Sequence, residues 1–164
     1  DRVNDLWILM KELSVSRKVV YTKFVRDRGT FFSKKTFSSY LAHLRQQGDL
    51  ESNLFPEAQS VYQTLCENSP LSTKELKEAT DLKGAFFKST YEKALRVLFR
   101  RGLIVSFGEK DDGVFPSACV GATHLIFEKL WTESFESKNA LLYSELVKRW
   151  PLLARQTQKV IKDL

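Results

Sequence analysis

Histidine, methionine, cysteine and proline are scarce in this chain: its 164 residues include two His, one Met, two Cys and four Pro. The two histidines, His43 and His124, have no acid and nucleophile close by in sequence. Neither a metal site nor a hydrolytic triad is therefore legible, and both read as surface or structural residues. Cys66 and Cys119 lie among apolar neighbours and are too few for a disulfide framework, so both read as core residues of an intracellular protein. No apolar run approaches the roughly 18–20 residues that cross a bilayer. No secretory leader is expected, and a cytoplasmic or nucleoid-associated location follows. Also missing are the phosphate-cradling glycine patterns, the His-Glu-x-x-His metal pair and the Cys-x-x-Cys pair. The expectation is no cofactor, no metal and no membrane partner.

What the chain does have is a globular balance, 43% hydrophobic and 28% charged, with twelve Phe, five Tyr and three Trp as core anchors. It also has a pattern that occurs twice. The first copy is Phe37, Tyr40-Leu41, Leu44, Gly48, Leu50; the second is Tyr91, Ala94-Leu95, Leu98, Gly102, Ile104. A third copy begins at Thr157, Val160-Ile161 and Leu164. Apolar positions at i, i+3, i+4 and i+7 followed by glycine describe a helix with one buried stripe and a left-handed C-cap. A short helix and turn before it would make a helix-turn-helix, and strands after it a winged helix.

The second copy has the fuller context. Pro56 suits the first turn of a helix running to Asn68. Ser72-Thr73-Lys74-Glu75 has the capping-box form and opens a short helix to Thr80. Asp81 to Gly84 is a turn, and Ala85 to Arg101 reads as a recognition helix. Segments 103–107 and 114–120 flank an Asp-Gly turn and read as a β-hairpin, the wing. In the first copy, helices are expected at 3–13, 17–27 and 34–47. Helices are also expected at 124–131 and 137–149, with a partial third helix-turn-helix toward the end. The fold class is thus mainly α with a small β-hairpin wing, in tandem winged-helix or helix-turn-helix form. The expected divisions are 1–54, an N-terminal helix-turn-helix unit; 55–136, a winged-helix domain with a packing helix; and 137–164, a C-terminal helical segment.

Charge is concentrated on the first unit. Residues 14–47 carry eight Lys/Arg against the single acid Asp27. Basic side chains release counterions from a nucleic-acid backbone, so this segment is a candidate phosphate surface. Arg17, Lys18, Lys34, Lys35 and Arg45 are its candidate contacts. On the second recognition helix, Phe87, Tyr91, Leu95 and Leu98 take the core stripe, which leaves Lys88, Lys93, Arg96 and Arg100 for phosphates or bases. The wing tip argues the other way. Glu109-Lys110-Asp111-Asp112 holds three acids against one base, and like charge near a phosphate backbone costs affinity.

Several stretches resemble the AlkZ/YcaQ-related winged-helix proteins, a family of alkyl-crosslink DNA glycosylases and their non-catalytic relatives. Arg17-Lys18-Val19-Val20-Tyr21-Thr22-Lys23 with Thr30-Phe31-Phe32-Ser33 is similar to that family's "R-x-V-Y-x-K … T-F-x-S" stretch. Pro70-Leu71-Ser72-Thr73-Lys74-Glu75-Leu76 resembles "P-L-S-T-x-E-L", and Ala94-Leu95 with Arg101 to Val105 matches the helix and strand that follow. The likeness covers about residues 5–132. It implies a bacterial tandem winged-helix protein with DNA as partner. Active members place the attacking water with a Gln-x-Gln or Gln-x-Asp motif early in the chain. The literal match here, Gln156-Thr157-Gln158, falls in the C-terminal helix, so the catalytic role is not carried over.

The sequence thus reads as a double-stranded-DNA-binding protein without evident catalysis. A protein-interaction module built on winged helices is the first alternative, and a DNA repair glycosylase the second.

Overall fold

The computed structural model describes residues 1–164. Its first helix, α1 (Arg2–Val15), is capped by Asp1, whose carboxylate accepts from the Val3 N–H at 3.2 Å. A β-hairpin follows, made of β1 (Val19–Lys23) and β2 (Gly29–Ser33) around a 3-10 turn at Val25–Asp27. The helix expected over 17–27 is therefore not formed. Val19, Val20 and Thr22 are β-branched and favour a pleated surface, and Phe24 packs edge-on against Phe32 of the returning strand at 5.6 Å. The turn bends through Arg26 and Asp27, both with positive φ (52° and 57°).

Helix α2 (Lys34–Gln47) starts at Ser33, whose Oγ accepts from the Thr36 N–H at 3.1 Å. It buries Phe37, Tyr40, Leu41 and Leu44, the stripe of the first repeat. Its terminal Gly48 has φ 173°, an extended conformation, so the left-handed cap expected there is absent. The chain then passes through a turn instead of entering a strand.

The second repeat matches its sequence reading closely. α3 (Pro56–Glu67) begins with its proline, and β3 (Leu71–Ser72) leads into α4 (Thr73–Ala79) through a complete Ser72–Glu75 capping box. After a turn with Asp81 and Gly84 at positive φ comes α5 (Lys88–Arg100), three residues shorter at its start than expected. Gly102 has φ +67°, and an added Cβ would run into the Leu41 side chain. This glycine is required both by its backbone and by its neighbour.

Strands β4 (Ile104–Lys110) and β5 (Ser117–Ala122) form the expected hairpin. It is not an isolated wing, however. β3 pairs with β5, and Tyr21 of β1 pairs with Ser106 of β4, giving one antiparallel sheet in the order β2-β1-β4-β5-β3. The protein is mostly helical with this small five-stranded sheet.

The helix expected at 124–131 is broken at Phe127 into α6 (Thr123–Ile126) and α7 (Glu128–Glu133), and Leu125 is exposed. α8 (Ser137–Arg149) and α9 (Pro151–Lys162) complete the chain. Tyr143 of α8 sits 5.4 Å from the Tyr40 ring and shares a 2.7 Å hydrogen bond with Thr157 of α9. Arg101 fixes this end. Buried at 3% exposure, it donates to the carbonyls of Leu50 (3.1 Å), Ser52 (2.5 Å) and Asp163 (2.6 Å). A buried charge is tolerated when such acceptors surround it.

Candidate nucleic-acid interface

Helix α5 turns Tyr91, Ala94, Leu98 and Phe99 inward, which leaves Lys88, Ser89, Glu92, Lys93 and Arg96 exposed. The Lys93 ammonium lies 5.1 Å from the Phe55 ring, a cation–π contact that steadies it without neutralising it. Arg100, nearer the core, donates from Nε and Nη2 to the two Asp27 carboxylate oxygens, each at 2.9 Å. Arg96 approaches the same carboxylate at 3.6 Å.

Through Asp27 the tip of the β1–β2 hairpin is held against α5, and with it come Lys23, Arg26 and Arg28, all exposed. Sequence reasoning placed these three in the basic segment but did not single them out as contacts. Their neighbourhood with α5 depends on an ion pair spanning 73 residues, which no local pattern records.

The open end of the same hairpin gathers a second group. The register Val19↔Ser33 puts Lys18 and Lys34 at one end of the strand pair, with Arg17 and Lys35 beside them in sequence. Arg17 donates to the Ile126 carbonyl at 2.9 Å and lies 5.2 Å from the Phe107 ring. Arg17 and Lys34 line one groove together with Lys129, Glu128 and Glu133, and Lys129 pairs with Glu133 at 3.8 Å. At about 3.3 Å per residue, the two basic groups stand roughly 15 Å apart along the hairpin.

Arg45 belongs to neither group. Its guanidinium lies 4.3 Å from the Trp131 ring centroid and 3.8 Å from that of Phe135, and its Nε donates to Ser134 Oγ at 3.1 Å. Burial there lowers its pKa. Its cation is used to bind α7 to α2.

Two of the three wing acids, Glu109 and Asp112, are engaged by neighbours, while Asp111 is exposed. Glu109 faces Lys11 of α1 at 3.8 Å, and Lys110 pairs with Glu75 of the capping box. Asp112 accepts from Ser72 Oγ and Ser117 Oγ, each at 2.5 Å, while Lys74 donates to its carbonyl at 2.7 Å. The Ser117 and Ser72 hydroxyls hold the Asp112 carboxyl below the usual carboxylate range. Beside exposed Asp111, the tip presents two apolar side chains outward, Val114 at 93% and Phe115 at 81% exposure.

Catalytic chemistry finds no comparable assembly. Gln156 and Gln158 are two apart on α9, so at about 100° per residue their side chains diverge by about 200°. Between them Thr157 is buried on Tyr143 and the Leu153 carbonyl. His43 and His124 lie half-buried among aromatic rings, His43 beside Tyr143 and His124 beside Tyr62 and Trp131. No group of three or more His, Cys, Asp or Glu is placed to hold a metal ion. No helix is long and apolar enough to cross a membrane.

Comparison with curated proteins and with solved structures gave no significant match. A family model described as "AlkZ related" does match, over residues 1–160, almost the whole chain. With the two motif stretches placed on the hairpin and on the capped α4, the match is decisive: the chain belongs to the AlkZ-related family.

Proposed function

We propose that this protein binds double-stranded DNA, without evident catalysis, and uses α5 as its recognition helix. The order α3, β3, α4, α5, β4, β5 supports reading residues 55–136 as a winged helix. In this reading residues 1–54 and 137–164 are the flanking units of a tandem arrangement, although the first unit carries a hairpin where a second helix was expected. The observation that carries the proposal is the set of exposed cations on α5, Lys88, Lys93 and Arg96, joined by Lys23 of the docked hairpin, which lines one groove with Arg96 and Glu92. A helix of this kind enters a major groove about 12 Å wide. Arg17, Lys18, Lys34 and Lys35 supply phosphate contacts at the other end of the hairpin. The pairing of Glu109 with Lys11 and the hydrogen bonds to Asp112 reduce the repulsion that the wing's composition suggests to the one exposed acid, Asp111. A cytoplasmic, nucleoid-associated location is part of the same proposal.

The test is fluorescence anisotropy of a labelled duplex across a salt series. Each engaged phosphate adds about 0.9 to the slope of log affinity against log salt. Charge reversal at Lys88 and Lys93, or at Lys34 and Lys35, should flatten that slope by roughly two per pair. Unchanged affinity in both double variants overturns the surface.

A protein partner is the second reading, favoured by α1, which leaves Val3, Leu6, Trp7 and Leu9 at least half exposed. Undetectable duplex binding by the folded protein at low salt would make it the better account. Release of an alkylated base, lost on changing Gln156 or Gln158, would restore the glycosylase reading.

A further inference from the structure

A groove of about 580 Å³ runs between the outer edge of β2 and the start of α9, lined by Val25, Phe31 and Phe32 of the hairpin with Trp150, Leu152 and Leu153. Successive side chains of a strand point to opposite faces of the sheet. A groove that touches both Phe31 and Phe32 therefore straddles the edge of the strand. The two rings are already engaged, since Phe32 is buried and Phe31 stacks on Tyr21 at 4.5 Å. What the groove adds to them is open backbone.

β2 is the outermost strand of the sheet and pairs only with β1. In an antiparallel pair, hydrogen-bonded and non-hydrogen-bonded positions alternate. Just beyond the strands the Phe24 N–H donates to the Arg28 carbonyl at 3.1 Å. In step with it, Thr22–Thr30 and Val20–Phe32 are the bonded positions. The N–H and C=O of Phe31 consequently point away from β1, to the open edge. Its neighbours on that edge, Gly29 and Ser33, are small and exposed.

Unpaired strand groups beside an apolar groove are a template for another strand. Charge decides which one. Arg28 directly precedes β2, Lys34 and Lys35 follow it, and all three are exposed without a carboxylate partner. The acid of this segment, Asp27, is engaged by Arg100. A second copy paired antiparallel about Phe31 would set Arg28 opposite Lys34 of its neighbour at both ends, and like charges directly opposite are destabilising. For an acidic strand the same cations are favourable: five extended residues cover roughly 17 Å, which brings both of its ends alongside them.

We propose that β2 and its groove bind an extended, acidic segment of a partner protein by strand addition. The backbone of the segment pairs with Phe31, its apolar side chains enter the groove against Trp150, which is 53% exposed, and its acidic residues flank them. Peptide binding here is independent of duplex binding by α5.

The experiment measures anisotropy of a fluorescein-labelled Asp-Asp-Ile-Phe-Ile-Asp-Asp peptide against the whole protein. Saturable binding is expected, weakened about tenfold or more when every Asp is exchanged for Lys. Only alternate amides of an added strand face β2, so N-methylation at Phe and N-methylation at both Ile should differ in effect by about tenfold. Phe31→Pro removes the outward N–H at an edge position where proline is tolerated, and should weaken binding about tenfold. Phe31→Leu keeps that N–H and should retain binding, while Trp150→Ala should weaken it; circular dichroism checks that the variants fold. Lys88→Glu with Lys93→Glu should leave peptide binding unchanged. No saturable binding, or equal effects of the two methylation patterns, overturns the site. A dimer in sedimentation that Phe31→Pro dissociates also overturns it, by giving the edge to a second copy.

Discussion

Asp27→Asn isolates what the hairpin tip does for α5. The substitution keeps the size of the side chain, and asparagine tolerates the left-handed backbone found at this position, φ 57°. One amide oxygen can still accept from Arg100; the second 2.9 Å bond and the charge are lost. Hydrogen bonds to charged groups contribute about 1.5–3 kcal/mol when well buried, and exposed ion pairs about 0.2–1 kcal/mol. Here the Asp27 and Arg100 side chains are 37% and 30% exposed, so solvent screening places the loss near the lower range, about 1 kcal/mol. For a chain of this size that is a fall of roughly 3 °C in Tm. DNA binding should move the opposite way. Removing the carboxylate leaves Arg96 and Arg100 uncompensated on the cationic face, which steepens the salt slope by about 0.9 and raises affinity at low salt. Urea denaturation and duplex anisotropy on the same preparation read both quantities. A variant that is less stable but binds more tightly fits the proposed face. An unchanged slope would mean that this side of α5 does not meet the duplex, and weaker binding would mean that docking of the hairpin, not the freed arginines, sets the affinity.

Arg45→Gln should cost about 1–2 kcal/mol, through the lost contacts with Trp131, Phe135 and Ser134, and leave the salt slope unchanged; a flatter slope would return Arg45 to the interface. Gly102→Ala should destabilise by roughly 1–3 kcal/mol, because of its positive φ and the Leu41 side chain in its path. Gly48→Ala should stay within about 0.5 kcal/mol in a denaturation curve, since its backbone is extended and an added Cβ meets Leu164 at an ordinary 3.6 Å. Stability should fall as pH drops below about 6.5. Burial lowers the His43 pKa in the folded state, so the unfolded chain binds more protons there. His43→Gln should remove that part of the loss, and an unchanged pH profile would refute it.

Most of the second repeat was legible because its signals are local. A proline at a helix start, a Ser-x-x-Glu box, an Asp-Gly turn between apolar runs and a 3.6-residue stripe each involve neighbours in sequence. The hairpin at 19–33 was misread for a related reason. Val20 and Phe24 are four apart, as on a helix, yet the residues actually buried are Val20, Thr22 and Phe24, a period of two. Thr22 hid that period, since a polar residue does not count toward an apolar stripe, although it is fully buried at 0% exposure. The basic residues were visible as types, but their grouping was not. Asp27 gathers Arg96 and Arg100 across some seventy residues, and aromatic rings draw Arg45 away.

The two repeats show where a shared pattern stops being informative. Both stripes are buried except for half-buried Leu95, and the helices end one residue before Gly48 and two before Gly102. At Gly102 the chain turns left-handed and enters β4; at Gly48 it runs extended and stays out of the sheet. The difference lies in what surrounds each glycine. Gly102 lies against the Leu41 and Phe37 side chains, so the second copy's turn is moulded on the first copy's helix. Gly48 has only Leu164 near it, at the end of the third partial copy. The apolar spacing therefore specifies a helix lying on a core, while the strand that follows depends on neighbours from another copy. The sheet is assembled the same way: β1 and β2, from the segment before the first stripe, occupy the edge beside β4. This borrowing carries Lys23 to α5, where it lines one groove with Arg96. If it is what creates the cationic face, disrupting the Tyr21–Ser106 pairing by Tyr21→Pro should flatten the salt slope even though no basic residue is changed, because proline removes the ladder N–H. Should that variant keep both its fold and the full slope, α5 alone carries the contact.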